Sequence, residues 1–240
     1  MIEQWDIKYK TQKINDLIGA EKNISTIKDW LVNFYNENAT SNSILIIGDH
    51  GVGKTNIITT ILSDLKYNIK RINLSKIPLC KEIDQYIKET LSQNNIIECI
   101  NEFDHQKIAI IIDELETVCS QVEKNFILKL QKINEEQKIC PIIFISNKKH
   151  SKFISTLKNK TKTLYFDKPT YNDLTTLLLK ICTLENINLE NKQLANNIVI
   201  YSQSDYHKLL QIIQEMILLF INNSAKKKIL IQIFIQQLQT

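Results

Sequence analysis

GDHGVGKT, residues 48–55, holds three of the four glycines in a chain of 240 residues; the fourth is Gly19. Average usage of roughly 7% would place about seventeen glycines in a chain this long. Glycine kept within six positions and avoided almost everywhere else marks backbone that must reach positive φ or be approached closely. Gly48, Gly51, Gly53, Lys54 and Thr55 fit the spacing G-x-x-x-x-G-K-[ST]. In that pattern backbone N–H groups curl around a phosphate, and a β-carbon at the turn positions would block its approach. The expected phosphate-binding set is therefore Gly48, Asp49, His50, Gly51, Val52, Gly53, Lys54, Thr55 and Asn56. Lys54 would bring a point charge to the β/γ oxygens of ATP, and the Thr55 hydroxyl would ligate Mg²⁺.

Working outward, SILIIGDH before the glycines is a short apolar run and reads as a buried strand. KTNIITTILSDL, 54–65, has helical spacing. Ile24, Ile27, Trp30, Leu31 and Phe34 place an amphipathic helix over 24–35. Further strands are expected at 68–74, 107–116, 140–147 and 163–166, with helices at 81–93 and 120–136. Strand and helix in alternation predict an α/β fold, a parallel sheet sandwiched by helices. Past Lys168-Pro169 only helical patterns follow, at 170–183, 190–201 and 205–222, and the ambiguous ILIQIFI near the end is read as helix. The expected domains are 1–168, nucleotide-binding, and 169–240, a small all-helical lid with a short extension.

Two acids stand where the strand KIAIIIDELE ends. Ligands of open α/β sheets sit beyond the carboxyl ends of the strands, so Asp113 and Glu114 would face a bound triphosphate. Asp113 would hold Mg²⁺, through water, and Glu114 would polarise the attacking water. Asn147, ending the strand PIIFISN, is a neutral polar group suited to orienting that water. The proposed catalytic residues are thus Glu114, Lys54 and Asn147.

Composition narrows the class. Hydrophobic residues are 43% and charged residues 23% of the chain, enough for an ordinary core and too few charges for wholesale disorder. The net charge of +4 permits nucleic acid without demanding it. Five cysteines at wide spacing, with no C-x-x-C, read as buried free thiols and not as a zinc site or disulfide framework. MIEQWDIKYK is polar and contains acids, unlike a signal or transit peptide, and the apolar stretch 209–221 is too short and polar to span a membrane. An intracellular protein is expected.

WDIKYK, DLIG at 16–19, GDHGVGKT, IIIDELE, PIIFISN and SDYHKLL at 204–210 occur in the order seen in AAA+ clamp-loader ATPases. The chain resembles the large subunit of replication factor C, including shortened versions encoded by large DNA viruses, over about residues 3–221. The opening W-x-x-K-Y followed by DLIG carries more of that likeness than the phosphate loop, which many ATPases share. The resemblance implies that Tyr9, Ile18 and Gly19 line an adenine pocket and that 170–222 form a three-helix lid. It also implies partners: small clamp-loader subunits, a sliding clamp, and primer–template DNA gripped without sequence specificity, in a hetero-oligomer at sites of DNA replication. DNA would be held by segments after residues 74 and 116. A helical collar would follow the lid, with 225–240 in that place here.

Three departures qualify this picture. Thr11 stands where the family usually has proline. His207, followed by Lys208, stands where the family places an arginine that touches the γ-phosphate. Histidine is mostly neutral near pH 7, so that charge would be weaker or come from Lys208. The chain also has one arginine, Arg71, so the stretch 150–164 offers no arginine to reach into a neighbour's site. A guanidinium's planar bidentate contact is not reproduced by lysine. Such a chain can receive that arginine but is poorly equipped to donate one, the situation that the resemblance gives the large subunit. A scaffold that binds ATP with little turnover is the rival reading. The lysines from Lys148 to Lys162 read chiefly as a solvated face.

Overall fold

Among the described residues, five strands pair into one parallel sheet. The computed structural model describes residues 5–35, 41–74, 83–92, 107–148, 151–187 and 192–222. Its elements are α1 (Trp5–Lys8), α2 (Glu21–Val32), β1 (Ser43–Gly48), α3 (Lys54–Asp64), β2 (Asn68–Arg71), α4 (Ile83–Ser92) and β3 (Ile108–Ile112). There follow α5 (Gln121–Gln137), β4 (Ile142–Ser146), α6 (Lys152–Lys158), β5 (Lys162–Phe166), α7 (Tyr171–Leu184), α8 (Lys192–Tyr201) and α9 (Tyr206–Asn222). The strand order is β2-β3-β4-β1-β5.

Both faces of the sheet are covered, which is why the inner strands read as unbroken apolar runs. Successive side chains point to opposite faces. Ile44, Ile46, Ala109, Ile111, Ile143 and Ile145 pack against α2 and α3 on one side. Leu45, Ile47, Ile110, Ile112, Ile142 and Phe144 pack against α4, α5 and α6 on the other. A third cluster joins α7, α8 and α9, and Trp5 of α1 is buried within it.

Register places the site. Ile47 of β1 pairs with Ser146 of β4, so Gly48 and Asn147 emerge at the same level. Ile112 of β3 pairs with Phe144, which brings Asp113 to the same rim. Strands β1, β3 and β4 thus deliver their carboxyl ends side by side.

Several expectations shift at the edges. The strand expected over 68–74 ends at Arg71, and among the described residues β2 is an edge strand paired with β3. The stretch around 152–158, read as a lysine-rich face, contains α6. Ser151 accepts from the Ile154 N–H as its cap, and Phe153, Ile154 and Leu157 are buried on one side. Of the cysteines, Cys140 and Cys182 are buried thiols, and burial pushes them up to about 12 and about 11. Cys119 is exposed, which corrects the expectation of buried thiols throughout; it lies on the turn just before the α5 cap. Cys80 and Cys99, the segment after residue 74 as far as 82, and the expected final helix lie outside the described residues. No helix among the described residues is long and apolar enough to cross a membrane.

Phe144 is fully buried at the centre of the sheet, whereas Leu179 on α7 is 51% exposed. Phe144→Ala is expected to lower unfolding free energy by about 3–5 kcal/mol through the cavity it leaves. Leu179→Ala is expected to change it by about 0.5 kcal/mol or less. Urea unfolding of both variants checks the contrast.

Candidate functional site

The loop after β1 turns on two left-handed glycines, Gly51 at φ 73° and Gly53 at φ 83°, before α3 begins at Lys54. Side chains are strained at such angles. Gly48 is excluded from change for a different reason: a β-carbon there would lie 2.9 Å from the Phe166 backbone oxygen of β5. Val52 turns inward and is buried in the core, which anchors the loop from beneath. Successive N–H groups at the start of α3, with no side chains over the turn, form the concave cradle that suits a phosphate.

Lys54 is buried, and its ammonium has three N–H groups to place. They go to the carbonyl oxygens of Gly48 at 2.9 Å and Asp49 at 2.7 Å, and to Asn147 Oδ1 at 3.0 Å. Burial pulls this amine below the ordinary lysine range, opposed by the nearby carboxylates of Glu116, Asp113 and Asp49. Asp49 also pairs with Lys148 at 3.0 Å, tying the loop to the end of β4.

Thr55 Oγ1 donates to Asp113 Oδ2 at 2.7 Å, so the two oxygen donors expected to share a metal are adjacent. Among the described residues no three His, Cys, Asp or Glu side chains gather as a metal cage. That donor set suits Mg²⁺, which is bound through one or two protein oxygens with the remainder from phosphates and water. Glu114 is exposed and holds a left-handed conformation, φ 56°, at the start of a short 3₁₀ turn, Leu115–Thr117. A non-glycine residue in that region is sterically costly, and such residues gather at working sites.

Asn147 is gripped from behind by Glu116. Its backbone N–H donates to Glu116 Oε2 at 3.0 Å and its Nδ2 to Oε1 at 2.6 Å. Glu116 is the residue that sequence reading missed. The signal was present as the third acid of DELE, but its inward direction is set by the 3₁₀ turn, which no local pattern announces.

The C-terminal helices close on the loop at one point. The Tyr206 N–H donates to the Gly51 oxygen at 3.0 Å, and Tyr206 Oη donates to the Ile18 oxygen at 2.9 Å. Burial, then the neighbouring Asp173, raises the Tyr206 hydroxyl far above its ordinary range, so it remains a donor. Gly19, at φ 77°, has no room for a side chain: a β-carbon would lie 2.7 Å from Tyr206 Oη. Asp205 caps α9, accepting from the His207 and Lys208 N–H groups at 2.8 and 3.0 Å, and its other oxygen is 3.9 Å from His50.

The expected adenine and lid residues are distributed as follows. Ile18 and Gly19 lie against Tyr206, beside the loop. The Tyr9 hydroxyl instead donates to Glu185, just after α7, and Lys8 binds the same carboxylate. The His207 side chain is exposed, and Lys208 Nζ donates to Gln203 at 2.8 Å. Asn56 donates to Thr11 Oγ1 at 3.0 Å, while its buried Oδ1 has no hydrogen-bond partner. Thr11, which departs from the expected proline, therefore stitches the N-terminal segment to α3.

Residues 44–166, from β1 through β5, match the ATPase family associated with various cellular activities (AAA). The chain belongs to the AAA ATPase family. ATP binding and hydrolysis are the chemistry that this family name describes. Beyond the shared domain, this AAA ATPase is similar to replication factor C large subunits. It is 25% identical over 262 aligned positions to a protein of Acanthamoeba polyphaga mimivirus named "Putative replication factor C large subunit", covering 92% of this chain and 49% of that protein. The large subunit from Sulfolobus acidocaldarius is 22% identical, with 88% of this chain and 46% of that protein covered. That from Methanococcus maripaludis strain C6 is also 22% identical, covering 80% and 38%. The chain spans about half or less of the length of these relatives.

Gly51 faces two separate restrictions, its positive φ and the Asp205 carboxylate 2.0 Å from any β-carbon placed there. Gly51→Ala is expected to destabilise the AAA ATPase, and Asp205→Ala in the same chain to relieve the steric part. What remains should be the left-handed cost of about 1–2 kcal/mol. A thermal-unfolding cycle of the two single variants and the double checks this, with strict additivity as the opposing result.

Proposed function

We propose that this AAA ATPase binds and hydrolyses ATP as the large subunit of a sliding-clamp loader. The observation that carries the nucleotide reading is the meeting of three strand ends: Lys54 lies 3.0 Å from Asn147, and Thr55 2.7 Å from Asp113. The similarity to replication factor C large subunits from a virus and two archaea supports the clamp-loader reading.

In this reading residues 48–56 cradle the phosphates, and Lys54 exchanges its loop carbonyls for β/γ oxygens. Thr55 and, through water, Asp113 would hold Mg²⁺, which when bound would neutralise charge building between the β- and γ-phosphates. Glu114 polarises the attacking water, and Asn147 orients it against the γ-phosphate. Tyr9, Ile18 and Gly19 line the pocket for the adenine base. Residues 1–168 act as the nucleotide-binding domain and 169–240 as the lid and its extension. His207 or Lys208 supplies the lid's weaker positive group, and a neighbouring small subunit supplies the arginine this chain lacks. Nucleotide binding favours the arrangement in which lid, clamp and primer–template DNA are engaged, and hydrolysis releases it. The setting is a replication site.

One observation favours the rival reading of an ATP-binding scaffold with little turnover: His207 replaces the family's lid arginine. Glu114→Gln separates the two. The enzyme reading predicts that Mg²⁺–ATP affinity is kept while turnover in the assembled complex falls about 10²-fold or more. Lys54→Ala is expected to weaken ATP binding about tenfold or more by calorimetry. Affinity purification from the native setting should recover smaller AAA ATPases and a ring clamp. Recovery of the protein alone, under conditions that preserve such assemblies, would contradict the clamp-loader role.

A further inference from the structure

We infer that Glu116 is a positioning residue of the nucleotide site, one that sets the orientation of the Asn147 amide and, through it, the place of the Lys54 ammonium. The inference rests on the nucleotide-site reading of Lys54 and Asn147.

An asparagine amide can rotate half a turn and exchange its oxygen for its nitrogen, so something must decide which end faces Lys54. Glu116 decides it. An ionised carboxylate only accepts hydrogen bonds. Its two oxygens are met by two donors of one residue, the Asn147 N–H at 3.0 Å and Nδ2 at 2.6 Å. Oδ1 is thereby turned the other way, to Lys54 Nζ at 3.0 Å. The reversed amide would set an oxygen against a carboxylate and an NH₂ against an ammonium, both repulsive.

Glu116 is itself held. It sits in the 3₁₀ turn whose Thr117 donates to the Glu114 oxygen from both its N–H, at 2.9 Å, and its hydroxyl, at 2.8 Å. Leu115 anchors that turn in the core, at 1% exposure. Ser146 Oγ adds a longer contact to Glu116 Oε2 at 3.4 Å. The end of β3 and the turn that follows it thus place Asp113 beside Thr55, Glu114 at the surface and Glu116 against Asn147. A γ-phosphate settling near Lys54 and Asn147 would meet an amide whose direction is already set, with one of its two Nδ2 hydrogens committed to Glu116.

Glutamine at this place would offer one acceptor and one NH₂ to two donors, so Glu116→Gln should free the Asn147 amide to turn. Aspartate keeps both acceptor oxygens on a shorter arm. The test measures affinity for a non-hydrolysable ATP analogue and for ADP, both with Mg²⁺, in wild type, Glu116→Gln, Glu116→Asp, Asn147→Ala and the double variant Glu116→Gln/Asn147→Ala. Glu116→Gln is expected to lower analogue affinity about tenfold while changing ADP affinity less. Glu116→Asp should recover part of the loss. The double variant should be no weaker than Asn147→Ala alone, within about twofold. Unchanged analogue affinity in Glu116→Gln, or losses that simply add in the double variant, would overturn the inference. Should Glu116→Gln fail to fold, Glu116→Asp carries the same cycle with Asn147→Ala, and additive losses there would overturn it equally. A wild type that binds neither nucleotide would instead overturn the nucleotide-site reading beneath it.

Discussion

An ammonium group taken out of water must find an acceptor for each of its hydrogens, and Lys54 finds three at the top of the sheet. Two belong to its own loop and the third to the neighbouring strand end. That requirement ties α3, the loop after β1 and the end of β4 into one unit. The carboxylates of Asp49, Asp113 and Glu116 surround it and offset the cost of burying the charge. A phosphate entering such a site meets a charge that is already desolvated and already aimed, which makes the interaction stronger than the same charge would be in water.

The fold supplies this geometry through register more than through any special element. A parallel sheet aligns the carboxyl ends of its strands, and here β1, β4 and β3 end level enough for Gly48, Asn147 and Asp113 to share one rim. Helices on both faces pack against the strands that end there. The C-terminal helices add a second boundary: Asp205 lies over Gly51, and Tyr206 bridges the loop to the Ile18–Gly19 turn. All four glycines are thus accounted for by the site or its border. Gly51, Gly53 and Gly19 need left-handed backbone, and Gly48 needs room against β5.

The sheet and the phosphate loop were legible because each follows from local chemistry. The three apolar runs that became β1, β3 and β4 need burial on both faces, and glycine confined to one stretch needs a reason. Asp113, Glu114 and Asn147 were legible as strand-end groups for the same reason. Glu116 was not, since its direction depends on a 3₁₀ turn begun by a strained Glu114. The α6 helix was legible in principle, with Phe153, Ile154 and Leu157 on one side, but the surrounding lysines drew the reading toward a solvated surface. Tyr9 shows what pattern leaves out: the likeness to clamp loaders gives it a place beside the base but says nothing of its hydroxyl's bond to Glu185. Contacts between segments as distant as these are decided by packing of the whole chain, which local spacing does not encode.

The most direct test of the account is a crystal structure with Mg²⁺ and a non-hydrolysable ATP analogue. Phosphate oxygens are expected within hydrogen-bond distance of the backbone N–H groups of residues 51–55, Mg²⁺ beside Thr55 and Asp113, and the Lys54 ammonium moved from the Gly48 and Asp49 carbonyls onto the β/γ oxygens. An analogue bound elsewhere, or one bound at the loop with Lys54 still held by its own carbonyls, would contradict it.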